Sequence, residues 1–313
     1  WFPYMDFSTL EKRRAFCEAE LRLNRRTAPM LYRAVRAVTR DATGSIALDG
    51  EGDVLDWVVD MARFDQGTLF DRLAQRGELT RPLLEELADE IALFHEAAER
   101  RPDVDVTAAM RATTEGNAGS LRSWIGKPFD AASIEDVHRR CAQLLEKASP
   151  VLAGRARNGF VRHCHGDLHL RNICLVDGKP TLFDCIEFND AFAAIDVLYD
   201  LSFLLMDLEH RELHRETNIV LNRYLARTGD YGGLGALQLF LCSRAVIRAH
   251  VSAAMAAAHD DAGLTARDRR AGEEYLALAL RLAAPASPAL IAIGGLSGSG
   301  KTTVAQALAP GIG

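Results

Sequence analysis

The 313-residue chain has no CxxC pair, no excess of positive charge, no internal repeat and no low-complexity tract. Each absence excludes something. Its six cysteines are scattered, and no signal-peptide pattern opens the chain, so they are expected to be reduced thiols of a cytoplasmic protein. A net charge of −6 leaves no basic face of the kind nucleic acid requires. A membrane span takes roughly 18–20 apolar residues, and the most apolar stretch, around Leu201–Met206, is interrupted by Asp200 and Asp207. Neither a nucleic-acid nor a membrane partner is expected. Glycine and lysine are late as well: the first glycine is Gly44 and the first lysine is Lys12.

What is present suits an ordered protein, with 48% hydrophobic and 26% charged residues. Ser8 through Glu11 reads as a capping box. A helix is expected from there to about Ala28, with Phe16, Glu20 and Leu23 on one face and Pro29 as its stop. Residues 45–48 and 54–59 read as a hairpin joined by residues 49–53. The pattern predicts helical sequence from Gly67 and a long helix from Thr80 to Arg100. Residues 101–130 read as irregular and Ala131–Lys147 as a helix. Short strands are expected at 159–163, 173–176 and 181–185, the last two flanking a tight Asp177-Gly178 turn. From Asp196 to about Leu282 the pattern is helical, broken near 228–235 and 259–263. A linker at 284–287 and a buried-type strand at 289–294 follow.

The sharpest signal is His165-Gly166-Asp167-Leu168-His169-Leu170-Arg171-Asn172, which matches the kinase pattern HxDxxxxN. Phosphoryl transfer needs a carboxylate to orient a hydroxyl and accept its proton, and an amide oxygen on the same loop for Mg²⁺. Asp167 suits the first role and Asn172 the second. Asp184, twelve residues past Asn172, is placed to be the main Mg²⁺ ligand, because a hard cation prefers oxygen, and Glu187 lies close enough to assist. A His-based dinuclear site built on His163, His165, Asp167 and His169 is rejected, since Leu168 puts the last histidine one position out of register. His165 reads as a support for the loop. Cys164, Cys174 and Cys185 read as small core residues, Arg244 and Arg248 as a solvated helix face, and Glu273-Glu274 as surface.

A second motif, Gly295 to Thr302, fits GxxxxGK[ST]. Backbone amides of such a loop, with Gly295, Gly298 and Gly300, cradle phosphates at a helix start. Lys301 reaches the β- and γ-phosphates, and Thr302 ligates Mg²⁺.

HGDLHLRN, the following LFDCIEFND and the run Asp196 to Leu201 together resemble the protein-kinase-like aminoglycoside phosphotransferase family. The resemblance is to its bifunctional bacterial members, which join such a kinase to a C-terminal P-loop kinase-like domain; residues 7–26 fit the same group. It implies Asp167 as the base, Asn172 and Asp184 as metal ligands, and Glu20 as the helix glutamate that pairs with an ATP-gripping lysine. It implies a hinge from Met61 through Arg63 to Phe64 that offers backbone groups to adenine, and Asp196 and Asp200 as braces of the catalytic loop. The expected fold is α+β and two-lobed. Residues 1–60 form an N-lobe remnant, 61–283 a mainly helical C-lobe, and 284–313 the start of an α/β P-loop domain.

The expected activity is transfer of the γ-phosphoryl of ATP, with Mg²⁺, to a small-molecule hydroxyl. A nucleotide-binding regulatory module and a protein kinase stand as alternatives. Intact Asp167, Asn172 and Asp184 count against the module. The lack of a DFG and of an APE-bounded segment counts against the protein kinase. The Gly-rich flap and strand lysine of the family belong ahead of Trp1, so both chain ends are expected to be cuts within a longer protein. Weak ATP binding by these 313 residues follows. Titrated beside an N-terminally extended chain, they should bind ATP more weakly; equal affinity overturns the expectation.

Overall fold

Thr9, rather than Ser8, caps the first helix, Leu10–Asn24: its hydroxyl accepts the Lys12 amide at 3.3 Å, while the Ser8 amide turns to Asp6. The computed structural model describes residues 6–285 and 291–312. The helix stops at Asn24, short of Ala28, because the Thr27 and Ala28 amides both fold back onto the Asn24 carbonyl (3.2 and 2.8 Å). Next comes a strand the sequence did not announce, Tyr32–Arg40, whose Arg33, Arg36 and Arg40 dilute its apolar pattern. It is the middle strand of a three-stranded sheet. Strands Ile46–Leu48 and Asp53–Met61 therefore do not form the expected hairpin; each pairs antiparallel with Tyr32–Arg40, as in Val38 with Leu48 and Ala37 with Trp57.

These elements belong to one of two units, Trp1–Glu99 with Arg162–Ile195. The same unit holds helices Phe70–Gln75 and Arg81–Ala97 and a hairpin, Ile173–Val176 with Lys179–Leu182. Asp177 (φ 52°) and Gly178 (φ 79°) supply two consecutive left-handed residues, the requirement of a type I′ turn. An apolar cluster of Ala28, Leu31, Tyr32 and Cys174, flanked by Val59, Met61, Phe64 and Phe183, fills the space between sheet and hairpin.

The second unit, Arg100–Val161 with Asp196–Gly313, is helical. Residues 101–130 are not irregular throughout: within them Val106–Arg122 is a helix whose first amides are capped by Asp105 at 3.0 Å. Its buried stripe includes Thr114 and Asn117 beside Met110 and Leu121, so polar residues occupy core-facing positions and mask the periodicity. The next helix runs from Ala131 through Pro150 to Arg157, ten residues beyond the expected Lys147. Pro150 deletes one ladder bond, but Ala148, Leu152 and Arg155 stay buried on either side of it. Val197–His210, His214–Thr228, Leu234–Ala258 and Ala262–Leu282 follow. Tyr231–Ala258 is long and apolar enough to cross a membrane by length and composition. In this unit it packs into a core with Phe203, Met206, Tyr275 and Leu276.

Arg244 is not on a solvated face. It is buried, lies over the rings of Tyr199 (4.0 Å) and Phe203 (4.9 Å), and donates to the Tyr199 carbonyl. Arg248 stands over Tyr275. The strand expected at 289–294 is absent from 291–294, which carry no regular structure and include exposed Ile291; residues 289 and 290 lie outside the described residues.

The second unit also buries a charged network. Arg155 spans Asp196 (2.6 and 2.8 Å) and Asp230 (2.5 and 2.8 Å) and stacks on Phe160. Arg155→Leu would leave two buried carboxylates without their cation, and should cost about 3–5 kcal/mol in urea unfolding. A loss under 1 kcal/mol would show that water enters the site.

Candidate active site

Three turns of the first unit meet at one side chain. The segment from Cys164 to Asn172 has to double back, and Gly166 makes this possible with φ 84°. A Cβ there would lie 3.0 Å from both Ile186 Cδ1 and the Phe192 carbonyl. Beside it His165 is buried. Its Nε2 donates to the Phe183 carbonyl at 3.0 Å, and its own carbonyl accepts the Ile186 amide at 2.9 Å. His165 thus ties the loop to the segment leaving the hairpin.

Asn172 completes the loop. Its Nδ2 donates to the Asp167 carbonyl (3.0 Å), the Asp167 carboxylate (2.9 Å) and the Asp184 carbonyl (3.3 Å). Three acceptors around one carboxamide atom identify it as nitrogen. The Asn172 oxygen is then on the opposite side of the carboxamide and takes no part in these three bonds. Asp167 is half-buried, with His169 Nε2 3.5 Å from its carboxylate.

Asp184 follows two residues after the strand end at Leu182, rather than within the strand, and has φ 62°. Its amide donates to the Tyr32 hydroxyl oxygen (3.1 Å), and the next amide, of Cys185, donates to Asn24 Oδ1 (2.9 Å). The carboxylate stays open to solvent on one side. The protein wall behind it, and then the charge of Asp167, push its pKa up; His169 opposes this.

Glu20 is half-buried on the first helix, whereas Glu18 is exposed and paired with Arg14. Burial and the charge of Asp184 raise Glu20. Burial raises Glu187 to about 7, with the charges of Glu20 and Asp184 adding to it. The unit thus gathers Asp167, Asp184, Glu20 and Glu187 into one field, with the Asn172 oxygen available beside them. The chemistry of that donor set fits a hard divalent cation.

Of the other expected positions, Met61 ends its strand within the apolar cluster, and Arg63 is exposed just beyond. The intervening Ala62 amide is donated to the Leu31 carbonyl at 2.7 Å, and Met61 is paired with Tyr32 in the sheet. Phe64 meets Phe183 edge to face at 5.3 Å.

The remaining expected residues belong to the second unit. Asp196 is buried, capping the Leu198 amide and holding Arg155, and Asp200 is buried on the same helix. Gly295 (φ 151°), Gly298 (φ 79°) and Gly300 (φ 77°) shape a turn before helix Lys301–Ile312. There the Lys301 ammonium and Ser299 hydroxyl both close onto the Leu296 carbonyl (2.5 and 2.8 Å), and Thr302 is exposed.

Two contributors escaped the sequence reading. Tyr32 lies on the unannounced strand. Asn24 sits four residues after Glu20, a spacing that could have drawn attention to it.

Residues 10–238 match the model of the phosphotransferase enzyme family. Uncharacterized proteins of Mycobacterium tuberculosis and Mycobacterium bovis are 27% identical over 314 residues, which take in 99% of this chain and 60% of theirs. The chain therefore spans well under two thirds of the length of these relatives. A choline kinase from Cryptosporidium parvum Iowa II aligns with TM-score 0.45 at 12% identity, over 72% of this chain and 71% of its own. A Plasmodium vivax ethanolamine kinase aligns with TM-score 0.47 at 12% identity, over 89% and 74%.

The raised Glu187 has a consequence for stability. The folded chain holds a proton that the unfolded chain gives up between its ordinary 4.5 and about 7, so this group lowers stability as pH rises through that window. In metal-free buffer, Glu187→Gln should gain stability relative to the parent from pH 4.5 to 7 and level off above. A pH-independent difference would place Glu187 in solvent.

Proposed function

The chain belongs to the phosphotransferase enzyme family, and on that premise we propose that it carries the catalytic core of a protein-kinase-like enzyme. This core transfers the γ-phosphoryl of ATP to a hydroxyl of a small molecule. The observation that carries the reading is the Asn172 amide bridging Asp167 and Asp184. It supports the reading because it ties the loop that bears Asp167 to the backbone of Asp184, the aspartate expected downstream of HxDxxxxN.

Asp167 accepts the proton of the acceptor hydroxyl and aims its oxygen. It suits this role because it keeps solvent contact and has an imidazole 3.5 Å away. The Asn172 oxygen and the Asp184 carboxylate are the groups that would hold Mg²⁺, with Glu187 assisting. When bound, the ion neutralises charge on the transferring phosphoryl group. Glu20 stands where the field of Asp184 reaches it and would receive the cation of an ATP-gripping lysine. Half-buried Val59 and Met61, at the margin of the apolar cluster, offer a surface for adenine, with Met61 and Arg63 as the hinge.

The Gly295–Thr302 loop supports a second nucleotide-binding element in the intact protein, with Lys301 and Thr302 as its phosphate and metal contacts. Residues of this kind suit cytoplasmic ATP. The chemistry of the acceptor beyond a hydroxyl is left to experiment, since a fold hosts many substrates.

ADP release with Mg²⁺ should be followed against sugars, aminoglycosides and amino alcohols for the intact protein and for its Asp167→Asn form. Loss of a positioned base predicts a fall of about 10²–10⁴-fold in turnover. Unchanged turnover removes Asp167 from the chemistry. ATP binding with no acceptor-dependent turnover in any class favours the nucleotide-binding module instead.

A further inference from the structure

Asp184 holds a left-handed backbone conformation away from any hairpin turn, and two buried side chains from separate elements meet that bend. Tyr32, 1% exposed, starts the middle strand, and its hydroxyl oxygen accepts the Asp184 amide at 3.1 Å. Asn24, 0% exposed, is the last residue of the first helix, and its Oδ1 accepts the Cys185 amide at 2.9 Å. The two ends of the Asn24 carboxamide cannot exchange roles, because Nδ2 donates to the Glu20 carbonyl at 3.0 Å. One carboxamide therefore connects the turn that bears Glu20 to the peptide that follows Asp184.

We propose that Asn24 and Tyr32 are positioning residues for the metal-binding carboxylate. They hold two successive backbone amides at Asp184 and Cys185, and so fix the direction in which Asp184 leaves the chain. The inference rests on the reading of Asp184 as a metal ligand.

The chemistry argues for orientation rather than packing. Leucine and phenylalanine would fill the same volumes without burying a carboxamide or a hydroxyl, whose desolvation has to be offset by the bonds they make. What those bonds add is the geometry of one bend. The remaining contacts of that bend run the same way: the Phe183 amide donates to the Asn172 carbonyl (3.0 Å), and Asn172 Nδ2 reaches the Asp184 carbonyl. Asp184 is thus held from its amide by Tyr32 and from its carbonyl by Asn172. Because Asn24 ends the helix carrying Glu20, a displacement of that helix is transmitted to Asp184.

The test uses Mn²⁺ as the probe, titrated by water-proton relaxation into the parent chain, Tyr32→Phe, Asn24→Leu and Asp184→Asn, with thermal unfolding measured in parallel. Outer groups that orient a ligand typically govern about 10-fold or more of metal affinity. Tyr32→Phe and Asn24→Leu should therefore each bind Mn²⁺ about 10-fold more weakly, and Asp184→Asn should lose binding. If Asp184→Asn loses Mn²⁺ while the other two match the parent, the positioning role is overturned and the metal reading stands. A melting temperature lowered with Mn²⁺ affinity intact belongs to that outcome, as it marks a purely structural role. If Asp184→Asn binds like the parent, or the parent binds no Mn²⁺, the assignment of Asp184 as a ligand falls, and this inference with it. Amide hydrogen exchange on the parent needs no variant: the Asp184 and Cys185 amides should be as protected as those of the Ile173–Leu182 hairpin. Rapid exchange at both overturns the proposal.

Discussion

The amide nitrogen of Asn172 holds the loop and the hairpin exit together. It touches the Asp167 carbonyl, the Asp167 carboxylate and the Asp184 carbonyl. Each such bond contributes only about 1 kcal/mol net, and about 1.5–3 where one partner is charged. Their value lies in what they align. A carboxylate suited to a hydroxyl proton and a carboxylate suited to a divalent ion come from segments seventeen residues apart in number, and one planar group spaces them. The same bonds orient the other end of that group, its oxygen, which a hard cation requires. An aspartate at 172 could supply the ligand oxygen but not the donor, and a lysine the donor but not the ligand. Asparagine alone offers both.

The two units treat buried acids differently. In the second, Asp196 and Asp230 share one guanidinium, and the charge is balanced inside the protein. In the first, burial and then the charge of Asp184 raise Glu20, burial and then the charges of Glu20 and Asp184 raise Glu187, and Asp184 is raised by the protein wall behind it and then by Asp167. An arrangement that raises acid pKa values costs stability near neutral pH, and such costs concentrate where function demands them. A divalent cation placed among these acids would reverse the sign of that interaction.

Much of this was legible because short motifs carry their own geometry. HxDxxxxN requires a loop that reverses, and Gly166 with its positive φ provides the reversal. The Asp177-Gly178 pair signals a type I′ turn from two residues alone. Chain periodicity was a weaker guide. Tyr32–Arg40 was missed because its arginines face a partly solvated sheet surface, and Arg36 pairs there with Asp49 and Asp60. Val106–Arg122 was missed because Thr114 and Asn117 are core-facing. Arg244 was misread because a guanidinium stacked on Tyr199 and Phe203 gives the same letter in the sequence as one in water. In each case tertiary partners, which sequence spacing does not reveal, decided where a polar residue went.

The left-handed aspartates of the first unit differ in what surrounds them. Asp49, Asp177 and Asp184 all have left-handed backbones (φ 52°, 52° and 62°), a conformation costing about 1–2 kcal/mol for a residue with a Cβ. Asp177 occupies a turn position where asparagine or glycine would serve equally. Asp49 uses its carboxylate locally, on Arg36 and the Ala37 amide. At Asp184 glycine would relieve the strain, as it does at Gly166. Instead the chain keeps a carboxylate there and surrounds its peptide with Tyr32, Asn24 and Asn172. Three buried polar groups spent on one strained bend are explained by the side chain that the bend presents.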